Sequence, residues 1–298
     1  MAVVPAPTTP VAKQIAPAHR SEWSQVWRRF TANRLALVGL AIVAILCLFA
    51  IFAEAIAPHD PIQSFPGKRG DPAEAGHILG FDHIGRDLFS RIVFGSRVAL
   101  IVGLLGTGIA VLIGVIVGAA AAYFGGTVDL LLSRLIDVLM AFPLLALLLV
   151  LSAVIGPSLS TTIIVIGTTA WARFARVVRA DVLSLKERDF VLAARAIGAS
   201  DTRIVLRHIL PNVLGPVIVL ASLGVGSIII LESALSFLGL GIQPPTPSWG
   251  RILSDGRAFI TNYPHISIAP GIMIVITVLA FNFIGDGLRD AFDPHHRG

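Results

Sequence analysis

Long stretches without a formally charged side chain divide this sequence of 298 residues. The five longest have 19, 31, 35, 24 and 28 residues, and they lie at 35–53, 98–128, 138–172, 208–231 and 258–285. A helix of about 20 apolar residues crosses the roughly 30 Å hydrocarbon core of a bilayer. Each stretch therefore predicts at least one membrane span.

The 35-residue stretch predicts two spans because the turn formers Gly156, Pro157 and Ser158 interrupt it. We therefore predict an all-α polytopic membrane protein with six transmembrane helices near 35–56, 99–123, 136–155, 159–178, 213–234 and 265–285. The apolar runs are continuous, whereas the strands of a membrane barrel alternate. Buried core helices of a large soluble protein are the other alternative, and five separate stretches of spanning length argue against them.

The composition points to a lipid-embedded chain. Hydrophobic residues make up 55% of the sequence and charged residues 14%, against about 25% charged residues in soluble domains. This hydrophobicity argues against a disordered chain and against a basic domain that binds nucleic acid. Cys47 is the single cysteine, which argues against a disulfide scaffold.

The distribution of Lys and Arg predicts the orientation. With six spans, 16 of the 23 basic residues fall on the side that holds the N terminus and 7 on the other. The positive-inside rule then places both termini in the cytoplasm. Residues 1–34 lack an early apolar core, so we expect a retained cytoplasmic segment and not a cleaved signal. The pI of about 10.1 reflects this asymmetry and requires no nucleic acid partner.

The predicted organisation follows from the spans. A first span at 35–56 is followed by an extracytoplasmic loop at 57–97, and the core of the protein occupies 98–298, with a cytoplasmic loop at 180–212. This loop predicts two short helices, Leu183 to Ile197 and Asp201 to Ile209, with Pro211 beginning the next span. The first helix has a small Ala193-Ala194 surface and a basic rim. It can dock into a groove of a partner or rest on anionic lipid headgroups, and the residues alone do not decide between the two.

Several motifs resemble one family of transport proteins. DFVLAARAIGAS at 189–200, followed by RHILPN at 207–212, resembles the EAA loop of the permeases of ATP-binding-cassette importers. Further stretches resemble the C-type permease subunits of dipeptide, oligopeptide, glutathione and nickel importers: RF and NRLA within 29–36, HILGFD, GRD and SR within 77–91, SFLGLG and PPTPSWG within 236–250, and GDGLRDA at 285–291. The resemblance extends from residue 23 to the end of the chain.

The resemblance implies a type I importer permease with a coupling helix, working within a larger assembly. Such a permease pairs with a second, homologous permease subunit as a heterodimer, two ATP-binding-cassette ATPases engage the coupling helices, and an extracytoplasmic binding protein delivers the substrate. The implied location is the plasma (inner) membrane of a bacterium or archaeon, in contact with membrane lipid. The implied cargo is di- or oligopeptides.

On this interpretation the chain is a transporter subunit and not an enzyme, and it binds no cofactor itself. ATP and Mg²⁺ bind to the partner subunits, in agreement with the absence of a G-x-x-x-x-G-K-[ST] motif from the sequence. Leu192 stands where the family has the glutamate that gives the loop its name, which removes an acidic contact. The residues that the resemblance assigns to ATPase coupling are Leu192, Ala193, Ala194, Arg195, Gly198, Ala199, Ser200 and Asp201.

Charged residues near the third and fourth spans are candidates for a pathway or gate. Arg134 and Asp137 are three residues apart, so they can pair on one helix face, and a structural role for the pair is the alternative. Asp129 is expected at the membrane interface. The residues expected to extend towards the inner headgroups are Arg173, Arg176 and Arg179.

Glu232 is the most isolated acid in the apolar regions, with Ser236 one helical turn after it. It either faces protein or water in a pathway or gate, or is wet at the outer end of the fifth span. The stretch 213–241 is long for one span, so Ser233–Gly241 is a candidate separate helix at the outer mouth. Pro143 and Pro270 predict kinks in the third and sixth spans.

Other functions receive less support from the sequence. His77, Asp82 and His83 raise the possibility of a metal site, but their loop is expected to be exposed and contains no cysteine, so we predict no metal site there. The His295-His296 tail is too short a cluster to argue from. The sequence also argues against a membrane enzyme, because no histidine is placed to join Glu232 and Ser236 in a catalytic site. A self-sufficient secondary transporter or channel remains the alternative, and it predicts ionisable residues in several spans and an inverted repeat.

Overall fold

The computed structural model describes residues 22–292, and within this range the regular secondary structure is helical apart from isolated bridges. Residues 1–21 of the predicted cytoplasmic segment, and the His295-His296 tail, lie outside it. The helices are α1 (Glu22–Ala32), α2 (Arg34–Ile51), α3 (Ala53–Ile56), α4 (Leu88–Phe124), α5 (Gly126–Ala141), α6 (Leu144–Ile155), α7 (Leu159–Leu185), α8 (Asp189–Ala196), α9 (Asp201–Ile204), α10 (Leu210–Phe237), α11 (Trp249–Gly256) and α12 (His265–Phe292).

The α4–α7 pair has the most extensive helix contact in the described part of the chain. Glycines allow the two backbones to approach closely: a Cβ atom added at Gly118 would lie 2.5 Å from the carbonyl oxygen of Ala175, and one at Gly114 would lie 2.5 Å from Cβ of Phe174. Small residues have this role in membrane helices, where close packing replaces the hydrophobic effect as a source of association. The α4–α7 pair therefore forms a tightly packed centre.

The first and last membrane helices pack against each other. At Gly39 in α2, an added Cβ would lie 2.5 Å from the carbonyl oxygen of Ala280 in α12. The short helix α1 packs on the last turns of α12 through the buried Phe30, which lies against Ala36 and Ala291. The two ends of the described chain are thus held at the same end of the bundle.

The all-α fold class is confirmed, and a helix lies at each of the six predicted spans. By length and composition, four helices within residues 22–292 can cross a membrane alone: Arg34–Ile51, Leu88–Phe124, Asp201–Phe237 and His265–Phe292. The bent pair α5–α6 counts as a fifth. Helix α7 has 27 residues, but four of its last 13 are charged. Composition alone therefore does not identify α7 as a span, although it packs along α4.

The helix break predicted at Pro143 is confirmed. Helix α5 ends at Ala141, α6 begins at Leu144, and their axes differ by 87°. Pro143 lacks an N–H group and favours the extended conformation that Phe142 adopts, and the helix is broken at this pair. Helix α12, by contrast, passes Pro270 unbroken.

The structure corrects the predicted helices of the 180–212 loop. Helix α7 continues to Leu185, so the first loop helix is only Asp189–Ala196. The second does not stop before Pro211, because a π-helical turn at Val205–Ile209 joins α9 to α10 in one helix from Asp201 to Phe237. A π turn is wider than an α turn and so accommodates the proline.

The predicted separate helix at Ser233–Gly241 is also wrong. Helix α10 runs without a break to Phe237, since no glycine or proline occurs between Gly226 and Gly239. Gly239 has φ +85°, a conformation that favours glycine, and it ends the helix. Residues 240–248 then turn back towards α11. We call the end of the bundle that carries α8 the α8 end, and the end that carries residues 57–87 and 238–264 the opposite end.

Candidate functional site

The loop at the α8 end has one buried face and one exposed face. Val191 and Ala194 lie in a cluster with the ends of α4, α7 and α10. Other apolar side chains of the loop are exposed although apolar residues of this size are usually buried: Phe190 and Leu192 at 43%, Leu206 at 60% and Ile197 at 86%. Helix α8 and the residue after it therefore present exposed apolar side chains, while Leu206 borders a pocket beside α4.

The residues predicted for ATPase coupling fall mostly on the exposed side of this loop. The exception is Ala194, which is buried, so the expected Ala193-Ala194 surface is formed by Ala193 alone. Ala199 is half-buried. Gly198 ends α8 with φ +81°, and Ala199 N donates to the carbonyl of Ala194, which completes the helix cap.

Sequence reasoning missed two contacts that hold this loop to α4. The Tyr123 hydroxyl donates a hydrogen bond of 2.6 Å to Oδ1 of Asp201. Nζ of Lys186 donates to the carbonyl oxygen of Ala122, at 3.0 Å. One signal was present in the sequence: Tyr123 is one of only two tyrosines, and it is next to the last residue of a long apolar run that ends at Phe124, before Gly125-Gly126.

Charged side chains pair between α5 and α7, in addition to the predicted pair within α5. Asp137 Oδ1 lies 2.7 Å from Nη2 of Arg176, whereas Arg134 approaches Asp137 only to 4.0 Å. Arg179 forms a bidentate pair with Asp129 at 2.6 and 2.7 Å. Arg176 and Arg179 thus pair with carboxylates of the neighbouring helix, and their extension towards the headgroups stays a prediction.

These charges surround a pocket of about 610 Å³ between α5 and α7. Arg134 is 74% exposed in the bundle, and Asp137 and Arg176 are each 53% exposed. Exposed charges on membrane helices face water or another protein chain, since lipid solvates them poorly. Of the predicted pathway residues, Arg134 and Asp137 are thus the accessible pair.

Glu232 and Ser236 are completely buried. The Ser236 hydroxyl donates to Glu232 at 2.8 Å and accepts from the backbone N–H of Ile242 at 3.0 Å. Ser233 donates to the other oxygen of Glu232 at 3.3 Å. The alternative of a wet carboxylate is therefore wrong, and the carboxylate instead joins α10 to the chain that returns from it.

A buried charge network lies at the opposite end of the bundle. Asp82 has no exposed side-chain surface and pairs with Arg86 and Arg91, and its Oδ1 accepts backbone N–H groups from Ile84 and Arg86. Burial raises the pKa of Asp82, but the positive charges of Arg91 and Arg86, together with the hydrogen bonds from the backbone N–H groups of Arg86 and Ile84, outweigh it and lower the pKa below its usual value. Asp255 of α11 lies 3.5 and 3.7 Å from the same two guanidinium groups.

The three residues considered for a metal site do not come together. His83 stacks on Phe259, and Asp82 is occupied by arginines. His77 instead lies 2.8 Å from Asp87, with His59 beside it. The rings of His59 and His77 are stacked 4.1 Å apart at 13°. A bound ion lies in the plane of each imidazole ligand, so two parallel stacked rings do not converge on one ion.

Comparison with known proteins gives a consistent result. Residues 82–298 match the family described as binding-protein-dependent transport system inner membrane component, and residues 21–72 match the N-terminal TM domain of oligopeptide transport permease C. The dipeptide transport system permease protein DppC of Alkalihalophilus pseudofirmus is 43% identical over 274 residues, which cover 92% of this chain and 90% of that protein. The glutathione transport system permease protein GsiD of Escherichia coli O157:H7 is 41% identical over 280 residues, 94% of this chain and 92% of that protein.

A solved structure has the same fold. It is described as an inward-facing conformation of the MetNI methionine ABC transporter, and it matches with a TM-score of 0.58 and 19% identity over 68% of this chain and 97% of that one. The two family matches together cover nearly all of the described residues, including the α8 loop and the buried network at the opposite end. This protein belongs to the family of binding-protein-dependent transport system inner membrane components.

Proposed function

We propose that this protein is a permease subunit of an ATP-driven importer of di- or oligopeptides and forms half of the translocation pathway. The relatives named for dipeptide and glutathione transport support the peptide cargo. The observation that carries the coupling role is the exposed apolar surface of the α8 loop, where Ile197 is 86% exposed. An exposed apolar surface on a rigid helix is typical of a site that docks into a partner groove.

The proposed assembly contains this chain, a second, homologous permease subunit, two ATP-binding-cassette ATPases and an extracytoplasmic binding protein. ATP and Mg²⁺ bind to the ATPases. The α8 loop enters a groove of one ATPase, and its coupling residues are those predicted from the resemblance. ATP binding can drive transport only if it favours one conformation of the permeases over another.

We further propose that the α8 end faces the cytoplasm, together with both termini. The excess of Lys and Arg on that side supports this orientation. Arg134 and Asp137 then lie towards the cytoplasmic half of the pathway, where their exposure allows contact with water or with the second permease. Glu232 and Ser236 support the outer loop of the pathway and do not line it.

Co-purification tests the assembly, and Ile197→Glu tests the docking surface. Expressed with the other subunits, the wild-type chain is expected to bring down both ATPases, whereas Ile197→Glu loses them because a carboxylate cannot enter an apolar groove without a partner. The matched control is Ile260→Glu, another exposed isoleucine, which lies at the opposite end. Wild-type protein that supports uptake without any ATPase would contradict the proposal and favour a secondary transporter or channel.

The cargo is tested separately. The binding protein that stimulates ATP hydrolysis by the reconstituted complex is expected to retain di- or oligopeptides, which mass spectrometry of the released ligand identifies. A binding protein that retains nickel, or another ligand without a peptide bond, would contradict the peptide cargo. It would leave the ATP-driven mechanism in place.

A further inference from the structure

Besides the interaction of the Tyr123 hydroxyl with Arg195 of α8, two hydrogen bonds hold the flanks of the α8 loop, one before α8 and one after it. Lys186, before the helix, donates to the carbonyl oxygen of Ala122. Asp201, after it, accepts from the hydroxyl of Tyr123. Both contacts end on adjacent residues in the last turn of α4. The loop is therefore attached to the end of α4 by both of its flanks.

The Tyr123 contact also connects two long helices. Asp201 is the first residue of the continuous helix Asp201–Phe237, and Tyr123 is next to the last residue of α4. Tyr123 is only 9% exposed and packs in the cluster that contains Val191 and Ala194 of α8. Its hydroxyl is thus positioned by apolar packing, and its hydrogen bond to a carboxylate belongs to the stronger class of such bonds.

Helix α4 extends from this contact to the opposite end of the bundle. It contains 37 residues, which corresponds to a length of about 55 Å. Close packing at Gly114 and Gly118 holds it to α7 along the way. At its far end Nε1 of Trp249 donates to the carbonyl oxygen of Ile92 at 3.0 Å, and Arg91 joins the buried charge network. A displacement of the α8 loop can therefore reach the opposite end through one rigid element.

We propose that Tyr123 is a positioning residue for coupling: its hydrogen bond to Asp201 makes the α8 loop, α4 and the helix from Asp201 move as one body. The inference rests on the proposed docking of ATPases at the α8 loop. Without the bond, the loop still binds the ATPases, but part of its displacement is absorbed between Asp201 and α4. The expected effect is a loss of coupling and not a loss of assembly.

The test compares peptide uptake with ATP hydrolysis in proteoliposomes that contain the whole complex and its binding protein. Tyr123→Phe removes one hydroxyl and keeps the ring, and we expect uptake per ATP hydrolysed to fall about fivefold or more, the lower end of coupling effects between sites. Co-purification of the ATPases is expected to remain unchanged. The matched control is Tyr263→Phe, which removes the hydroxyl of the other tyrosine, at the opposite end.

A double-mutant cycle separates this role from a direct role of Asp201 at the ATPase. Asp201→Ala is expected to lower the uptake per ATP by a similar factor, and the double variant by no more than either single variant. Multiplied effects of the two variants would overturn the proposal, and so would an unchanged ratio in Tyr123→Phe. Loss of ATPase binding by Tyr123→Phe would also overturn it, by showing a merely structural role. Failure of the wild-type complex to bind ATPases would instead contradict the proposed function.

Discussion

At the scale of residues, Glu232 has a role that depends on its serine neighbours. Isolated in the sequence, it is in the structure the centre of a group that includes Ser233 and Ser236 and reaches the backbone of Ile242. A buried carboxylate of this kind is stable only while its hydrogen bonds are made. It therefore holds the chain that returns from α10 in place.

Glu232→Ala is expected to loosen residues 238–248, because the hydroxyl groups of the two serines lose their acceptor. An unmade buried hydrogen bond costs about 1 to 3 kcal/mol. The measurement is the rate of thiol labelling at Thr246→Cys, in a Cys47→Ser background that leaves no other cysteine. Glu232→Gln is the control, since its amide oxygen still accepts from Ser236. Equal labelling rates in the alanine variant and its parent would contradict this role.

His83 predicts a pH dependence at the opposite end of the bundle. Burial lowers the pKa of His83; the charges of Asp82 and Asp255 oppose burial only in part, and those of Arg86 and Arg91 lower the pKa further. A histidine with a pKa lowered in the folded state stabilises the fold at pH above its unfolded pKa of about 6.5, and this stability is lost as the pH falls below that value.

Hydrogen exchange of residues 57–87 checks this expectation. Protection of the segment is expected to decrease between pH 7.5 and 5.5, after correction for the intrinsic exchange rates. In His83→Gln, which does not titrate, the decrease is expected to be smaller. A wild-type segment with constant protection over this range would show that His83 does not contribute.

At the scale of elements, the α4–α7 contact depends on glycines, which have no side chain to keep the two helices apart. A Cβ atom at Gly118 would lie against a backbone oxygen, which cannot turn aside as a side chain can. By contrast Gly108, in the same helix, has no other group within 4 Å of its added Cβ. The two glycines therefore provide a matched pair of substitutions.

Gly118→Ala is expected to destabilise the purified complex by about 1 to 3 kcal/mol, the usual cost of overpacking. The thermal unfolding midpoint in detergent is the measurement, and it should fall. Gly108→Ala is expected to leave the midpoint unchanged or to raise it, because alanine favours helix over glycine. Equal midpoints for the two variants would contradict this expectation, because α4 and α7 could then move apart at Gly118 without a loss of stability.

The break between α5 and α6 provides the second prediction at the scale of elements. Pro143→Ala restores the missing N–H group and removes the restraint on Phe142, so we expect the two helices to straighten. Spin labels at Leu131 and Val154, both exposed, would then move from about 24 Å to about 35 Å apart, from the rise per residue of a helix. Pro270→Ala serves as the control. An unchanged distance would show that neighbouring helices, and not the proline, impose the bend.

At the scale of the whole molecule, the sequence predicted the helices better than their contacts. A bilayer demands about 20 apolar residues per span, and this constraint is local and can be read directly from the gaps between charges. The partners of Asp137 and Tyr123, by contrast, lie 39 and 78 residues away. Neither pairing has a local signal, because it depends on how α4, α5 and α7 pack.

Local rules also failed at the ends of helices. Pro211 predicted a boundary, yet the π turn at Val205–Ile209 carries the helix past it. The charges that follow the fourth apolar stretch predicted a span that ends at 178, yet Arg176 and Arg179 pair with carboxylates of α5 and the helix continues to Leu185. In both cases a tertiary contact or a backbone adjustment overrides the local preference. The exposed face of the α8 loop followed from its family motif.

The packing of α2 against α12 has a consequence for the biogenesis of the protein. A ribosome makes α2 first and α12 last, so α2 enters the bilayer more than 200 residues before its packing partner exists. During that time Gly39 and its neighbours face lipid or the insertion machinery. A bulky substitution at Gly39 is therefore compatible with insertion and takes effect only when the last helix arrives, so that it acts on the lifetime of the finished protein and not on its delivery to the membrane.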